Sequence, residues 1–461
     1  MDRTLSKTAP RLAVLALTCV SLAACSTVQR LNPFGRDTGP RAQAAAGERI
    51  PVLTAENALT PNPALANATF FLPAPQPVTA WPQPGSVPSL AVENIQAAQA
   101  LEVAWRRDAG AGSSRTTQVT APLVAADGRI FVLDGEATVS AFDAATGDRV
   151  WSRSLRPEGR DRDGFGGGLT VFGGKVFAVS GYRVAAALDA ATGAPAWTTE
   201  LESPVHGAPT VANNRLYAVD VDNQIIALDI NSGQQAWSDQ AIAEPARILR
   251  ASSPAVSGET VVAPFSSGEL IAFRAANGQQ LWQQVLSRSS RTNALSEIRD
   301  IAGRPVISRN TVYAASHSGV MAAVDLRTGA RRWELPIASV NAPWPAGDVV
   351  YVMSLNGELV AANRENGQVY WVRNLNEGRV RQEGGFLGAF DRTVRPQWSG
   401  PILAGNRLLL VNSDGELVAL DARTGVEQRS IRIGGPSFVA PIAVGEMVYV
   451  LTDEGQLVAV R

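Results

Sequence analysis

The chain has 461 residues, enough for two or three ordinary domains or for one large all-β body. Its 41 basic and 42 acidic residues nearly cancel and no basic block stands out. Nucleic acid is excluded as an expected partner, because phosphate binding needs a concentrated positive surface. Charged residues are only 18% of the chain while Gly, Ala and small apolar residues abound, which suits strands buried on both faces.

The N-terminus reads as a targeting segment. Arg3, Lys7 and Arg11 form a positive region, Leu12 to Val20 is a short apolar run, and Leu22-Ala23-Ala24-Cys25 follows. The apolar run is too short to span a bilayer as a helix, so residues 1–24 are expected to be a cleaved signal peptide. L-A-A-C resembles the bacterial lipobox, in which the Cys becomes the lipidated first residue, and this makes Cys25 the expected lipid attachment. In lipoproteins of that kind a residue other than Asp after the Cys permits sorting to the outer membrane, and here it is Ser26. Cys19 then leaves with the signal peptide and Cys25 carries lipid, so no thiol remains for a disulfide, a zinc cluster or a nucleophile.

From residue 25 to 100 the composition changes. Eleven prolines fall between Pro33 and Pro88, and no helical or strand period lasts. Proline cannot donate to a ladder and drives its predecessor out of the helical region, so an extended tether is expected. Phe70, Phe71 and Trp81 are out of place in a tether; they either dock on the folded body or stand exposed.

Beyond Leu101 one phrase recurs. AFDAATGDRVW ends at Trp151, ALDAATGAPAW at Trp197, ALDINSGQQAW at Trp237, AFRAANGQQLW at Trp282, AVDLRTGARRW at Trp333 and AANRENGQVYW at Trp371. Each unit holds four short strand patterns and Gly-rich turns over about 45 residues, the signature of a propeller blade. Seven turn glycines, from Gly147 to Gly425, mark seven complete units. An eighth unit, GEMVYVLTDEGQLVAVR, lacks its last strand, which LEVAWRRDA (Leu101 to Ala109) can supply, with Trp105 in step with the period. The fold class is therefore all-β: an eight-bladed β-propeller over residues 101–461, with four-stranded antiparallel blades and the last blade closed by the N-terminal strand. Within the phrase, the Asp accepts backbone N–H bonds, the Gly takes a positive φ, and the Trp packs against the next blade. A structural role is favoured over a metal site, because a propeller spreads these turns around its rim. Arg274 and Asn363 replace the Asp, and Arg429 the Trp, in otherwise well-formed units.

A-x-D-x-x-T-G-x-x-x-W resembles the repeat of quinoprotein-type eight-bladed propellers. That superfamily holds the PQQ-dependent dehydrogenases and the BamB family, the lipoprotein subunits of the outer-membrane β-barrel assembly machinery. The first resemblance implies PQQ, calcium, a carboxylate base and commonly a pair of adjacent cysteines. No cysteine pair remains in the mature chain, and His206 and His317 form no recognisable dyad. No cofactor, metal or catalytic residue is therefore expected, and a quinoprotein-like enzyme stays as the alternative reading.

The second resemblance accounts for the lipobox, the Pro-rich stretch and the single propeller. It also matches two interruptions of the repeat, EPARILRASSP (Glu244 to Pro254) and SRSSRTNALSEIRDIAGRPVI between Trp282 and Thr311. In that family such loops contact the central barrel subunit, BamA, through a leucine–arginine pair and an acidic residue. By position these are Leu249 with Arg250, and Asp300, with Ile248 and Arg299 beside them. Ile248 and Leu249 offer an apolar anchor and Arg250 a guanidinium that forks onto carboxylates or carbonyls. For Ile248 a second reading stands, in which the side chain points into the blade. Ala302 takes a second acidic position of the family's insertion, and the stretch from Asn374 to Trp398 has no counterpart there. The resemblance implies a non-enzymatic scaffold, lipid-anchored on the periplasmic face of a Gram-negative outer membrane. It would bind the BamA-type subunit and assist unfolded outer-membrane clients.

Overall fold

The computed structural model describes residues 59–65, 68–159, 164–244, 252–287, 298–383 and 392–461. The chain divides into Met1–Glu56, outside the described residues, and Asn57–Arg461. Cys25 and residues 1–24, expected to be a signal peptide, lie in the first part.

Eight four-stranded antiparallel sheets follow one another around an axis, and a two-stranded hairpin, Arg381–Glu383 with Arg392–Val394, stands apart from them. Blade 1 shows the plan. Its innermost strand, Val124–Ala126, is followed by Arg129–Leu133, Thr138–Asp143 and the outermost Arg149–Ser154. The two middle strands are buried along almost their whole length because neighbouring blades cover both of their faces. The outermost strand is mainly exposed, and only Trp151 turns inward.

The repeated phrase fixes the blade-to-blade contact. Asp143 Oδ1 accepts the N–H groups of Ala145 and Thr146, at 2.9 and 2.8 Å, and closes the turn. A β-bulge between Ala141 and Phe142 then sets Ala141 opposite Trp151, so a small residue faces the indole. The indole reaches the next blade. Trp151 Nε1 donates to the Ala190 carbonyl at 3.0 Å, and its ring covers the turn glycine Gly193, where a Cβ would stand 2.6 Å from it. The same indole-to-carbonyl bond recurs from Trp197 to Ile230, Trp237 to Ala275, Trp282 to Leu326 and Trp333 to Arg364.

Ring closure follows the same rule. Val103–Asp108 is the outermost strand of blade 8 and pairs with Gln456–Val460, with Trp105 opposite Ala459. The Trp105 ring covers Gly147 of blade 1. Arg429 now has a physical reason. It sits opposite Ala419 where a Trp is usual, but blade 8 takes its last strand from the N-terminal side and has no D-x-x-T-G turn for an indole to cover.

The Pro-rich stretch is where structure and sequence reading part. Residues 68–100 do not extend away as the end of a tether; they run across the face that carries the D-x-x-T-G turns. Phe70 and Trp81 are buried, whereas Phe71 is exposed, so the two alternatives for these aromatics divide between them. Phe70 lies on Tyr370, with ring centroids 4.7 Å apart, and Trp81 stacks over Trp344.

Candidate functional site

In a four-stranded meander the first and third turns lie at one end and the second turn and the blade-to-blade connections at the other. One face of the propeller therefore carries the D-x-x-T-G turns. The opposite face carries the connections, which is where the repeat is interrupted.

On the connection face a funnel of about 680 Å³ opens at the axis, walled by Val119, His317, Asn341, Leu355, Trp398 and Phe438 among others. Burial holds the His317 imidazole below its ordinary pKa. The His317 backbone N–H donates to the Asp300 carbonyl at 2.8 Å. His206 lies elsewhere, stacked on Phe165 at 4.7 Å, so the two histidines form no pair. Among the described residues no group of three His, Cys, Asp or Glu is placed to hold a metal ion.

The interrupted connections join blade 3 to blade 4 and blade 4 to blade 5. Ile248, Leu249 and Arg250 fall outside the described residues, but the base of their loop is well defined. The buried Glu269 carboxylate accepts the Ile242 N–H at 3.0 Å and the Ser267 hydroxyl at 2.7 Å, and Asn223 Nδ2 donates to the Ile242 carbonyl at 2.6 Å. Held from both sides, Ile242 is 63% exposed. Val285, also exposed, pairs with Glu269 across the sheet, so both bare aliphatic residues adjoin the same glutamate.

Arg299 and Asp300 separate in the structure. Gly268 takes φ +81°, and the Arg299 backbone and Cβ come within 3.1 Å of where its own Cβ would be, so the segment passes tightly over the turn before blade 4's third strand. Arg299 ends exposed beside this turn, whereas the Asp300 side chain is only 5% exposed. The side chain expected to make the partner contact is thus buried here, while the Asp300 carbonyl receives the His317 backbone N–H. Ile242, Val285, Glu269 and Asn223 were missed in the sequence. Glu269 had no distinguishing signal, since Glu358 and Glu416 occupy the same G-E-L context. The hairpin in the stretch after Asn374 is tied to blade 7, with Arg379 on Glu427 at 2.7 Å and Arg381 on Asp414 at 2.8 Å.

A family model described as outer membrane protein assembly factor BamB matches residues 99–164, 135–373 and 380–461. The chain belongs to this family. Similar curated proteins include the outer membrane protein assembly factor BamB of Moranella endobia, 23% identical over 72% of this chain and 82% of the relative. The protein of that name from Shewanella oneidensis is 24% identical over 79% of this chain and 90% of the relative. Among solved structures, BamB from Moraxella catarrhalis aligns at TM-score 0.64 and 20% identity, covering 78% of this chain and 99% of that one. Quinohemoprotein alcohol dehydrogenase from Comamonas testosteroni aligns nearly as well, at TM-score 0.62 and 14% identity over 83% of this chain and 80% of that one. The propeller alone thus does not separate the BamB family from the dehydrogenases, and residues have to.

Proposed function

We propose that this protein is a non-enzymatic scaffold of the outer-membrane β-barrel assembly machinery. A lipid on Cys25 anchors it to the periplasmic face of a Gram-negative outer membrane. The observation that carries the reading is the family match, which spans nearly the whole propeller and includes the interrupted connections. The connection face binds the BamA-type subunit. Bare Ile242 and Val285 next to Arg299 support this, since an aliphatic anchor bordered by a guanidinium is the common make-up of an interface core and its rim. Ile248, Leu249 and Arg250 follow Ile242 by six to eight residues in the sequence and are the further residues proposed for this contact. Unfolded outer-membrane clients pair with the outermost strands, the blade edges still open to β-augmentation.

The test is co-purification from detergent-solubilised outer membranes. Arg250→Glu is expected to lower recovery of the barrel subunit at least tenfold with the propeller still folded. Undiminished recovery from both Arg250→Glu and a Leu249/Arg250 double substitution would sink the interface. Cys25→Ala is expected to move the protein to the soluble periplasm, and continued pelleting with membranes counts against the anchor. The second reading, a quinoprotein-like enzyme, is favoured by the 680 Å³ funnel, which lies in the size range of small-molecule sites. Saturable binding of PQQ with calcium, together with dye reduction, would establish it in place of the scaffold.

A further inference from the structure

We propose that the axial mouth on the turn face is a binding site for an extended peptide, and that residues 76–98 of this same chain are its ligand, held in cis. The innermost strand of every blade is an edge strand, and edge strands present unpaired N–H and C=O groups. Four equivalent N–H groups point to the mouth, from Ala125, Val171, Val256 and Ile307. They donate to the carbonyls of Trp81, Pro82, Pro88 and Ser89 at 2.8, 2.6, 2.7 and 2.8 Å. In blade 3 the Val211 N–H donates to Gln83 Oε1 at 3.2 Å.

Blade 6 carries Pro345 at this position, without an N–H, and the indole of Trp344 takes over, donating to the Glu93 carbonyl at 2.8 Å. In blade 7 Ile95 exchanges bonds with Leu403 and Gly405, and in blade 8 Gly445 donates to Val78 at 2.8 Å. All eight blades hold the one segment. The ring mostly offers donors, and a ligand rich in proline mostly offers carbonyls, so the composition of the segment matches its site.

Two side chains give the site its specificity. Trp81 is 2% exposed and lies over Trp344, with ring planes 16° apart. Glu93 sits between Arg309, 3.2 Å away, and Arg364, 3.5 Å away, and accepts the Gly347 N–H at 3.2 Å. Arg364 is 2% exposed. It stands where the other turns carry Ala144, Ala190, Ile230, Ala275, Leu326 and Ala422. A buried guanidinium in place of an aliphatic residue needs a carboxylate partner, and the peptide brings it. While the segment is seated, the inner edges on this face are closed to any other strand, and partners are directed to the connection face and the outer rim.

The test keeps the whole chain. A specific protease site is placed at the exposed Gln99–Ala100 link, and the protein is cut after folding. Covalent linkage supplies an effective concentration of order millimolar, which the cut removes. The N-terminal fragment is expected to co-elute with the propeller in gel filtration at micromolar protein. Glu93→Ala and Trp81→Ala are each expected to weaken that association by about tenfold or more, since a carboxylate paired with a buried guanidinium and a buried indole are strong contacts. Release of the fragment from the unsubstituted protein, or equal retention with both variants, overturns the proposal. In the uncut chain, hydrogen exchange at the Val256 and Ile307 amides is expected to speed up at least tenfold in Glu93→Ala. Unchanged protection there overturns it equally, whatever the cut protein does.

Discussion

At the scale of single residues, the turn glycines separate two effects that are usually mixed. Gly128 and Gly193 have nearly the same φ, +71° and +72°, but nothing lies within 4 Å of a Cβ on Gly128 whereas the Trp151 ring blocks one on Gly193. Gly128→Ala is expected to cost only the left-handed backbone strain, about 1 kcal/mol. Gly193→Ala adds displacement of the indole, for a total of roughly 2–4 kcal/mol. Equal shifts in the denaturation midpoint would show that the ring gives way freely. The turn carboxylates make a second prediction. The Arg332 guanidinium, followed by the Thr328 N–H, holds Asp325 well below the usual carboxylate range. Asp143, Asp189 and Asp229 are lowered chiefly by the Thr146 N–H, the Thr192 hydroxyl and the Asn231 N–H respectively. A carboxyl with a depressed folded pKa adds stability above its unfolded value of about 3.9, and that stability is lost as pH falls through the folded value. Melting temperature should thus change little from these groups between pH 7 and about 5, then drop below about pH 4. Asp325→Asn should flatten part of that drop, and an unaltered acid limb in this variant would refute the assignment. Asn363 shows the fold tolerates an amide there, its Oδ1 accepting the Glu365 and Asn366 N–H groups at 2.9 and 3.2 Å.

At the scale of elements, the blade was legible because its rule is local and its turn is written seven times. The Ala, Asp, Gly and Trp of the phrase are each set by one contact: the indole's opposite number, the turn's acceptor, the left-handed backbone and the neighbouring blade. That rule makes a paired prediction for the outermost strands. Trp371→Ala should cost about 3–5 kcal/mol, because the ring is 8% exposed and lies against Gly425. Arg429→Trp, which puts the usual residue back in blade 7, should give no gain, since blade 8 has no turn glycine to receive it. A clear rise in melting temperature for Arg429→Trp would mean the indole stabilises its own sheet rather than the joint. The Pro-rich segment was illegible for the opposite reason. Its partners are main-chain N–H groups, which leave no trace in side-chain pattern. Only the aromatics Phe70, Phe71 and Trp81 stood out of the composition; Arg364, in place of the usual aliphatic, gave a signal that the sequence reading did not use.

At the scale of the whole molecule, the two faces are chemically distinct: the turn face is closed at its axis by the chain's own segment, and the connection face is open. The sequence pointed to the second face by its interruptions, but not to which side chains it bares. Exposure there depends on Glu269 and Asn223 gripping the backbone of Ile242, a relation between residues in three different strands and loops. Asp300, which position alone marked for contact, is turned inward by the same tight passage that leaves Arg299 outside. A partner docked on this face should therefore respond to charge placed among the bare aliphatics. Ile242→Glu with Val285→Thr is expected to leave the melting temperature within about 1 kcal/mol equivalent of the parent, as surface substitutions do, whereas a Glu at position 285 would face the Glu269 carboxylate across the sheet. It should reduce co-purification of the barrel subunit at least tenfold, because an unpaired carboxylate buried at an interface is strongly unfavourable. Phe172→Glu is the matched control: its side chain is 51% exposed, comparably bare, but lies at the first turn of blade 2 on the other face. Loss of the partner with Phe172→Glu and retention with the double variant would reverse the orientation, putting the docking surface on the turn face around the seated segment.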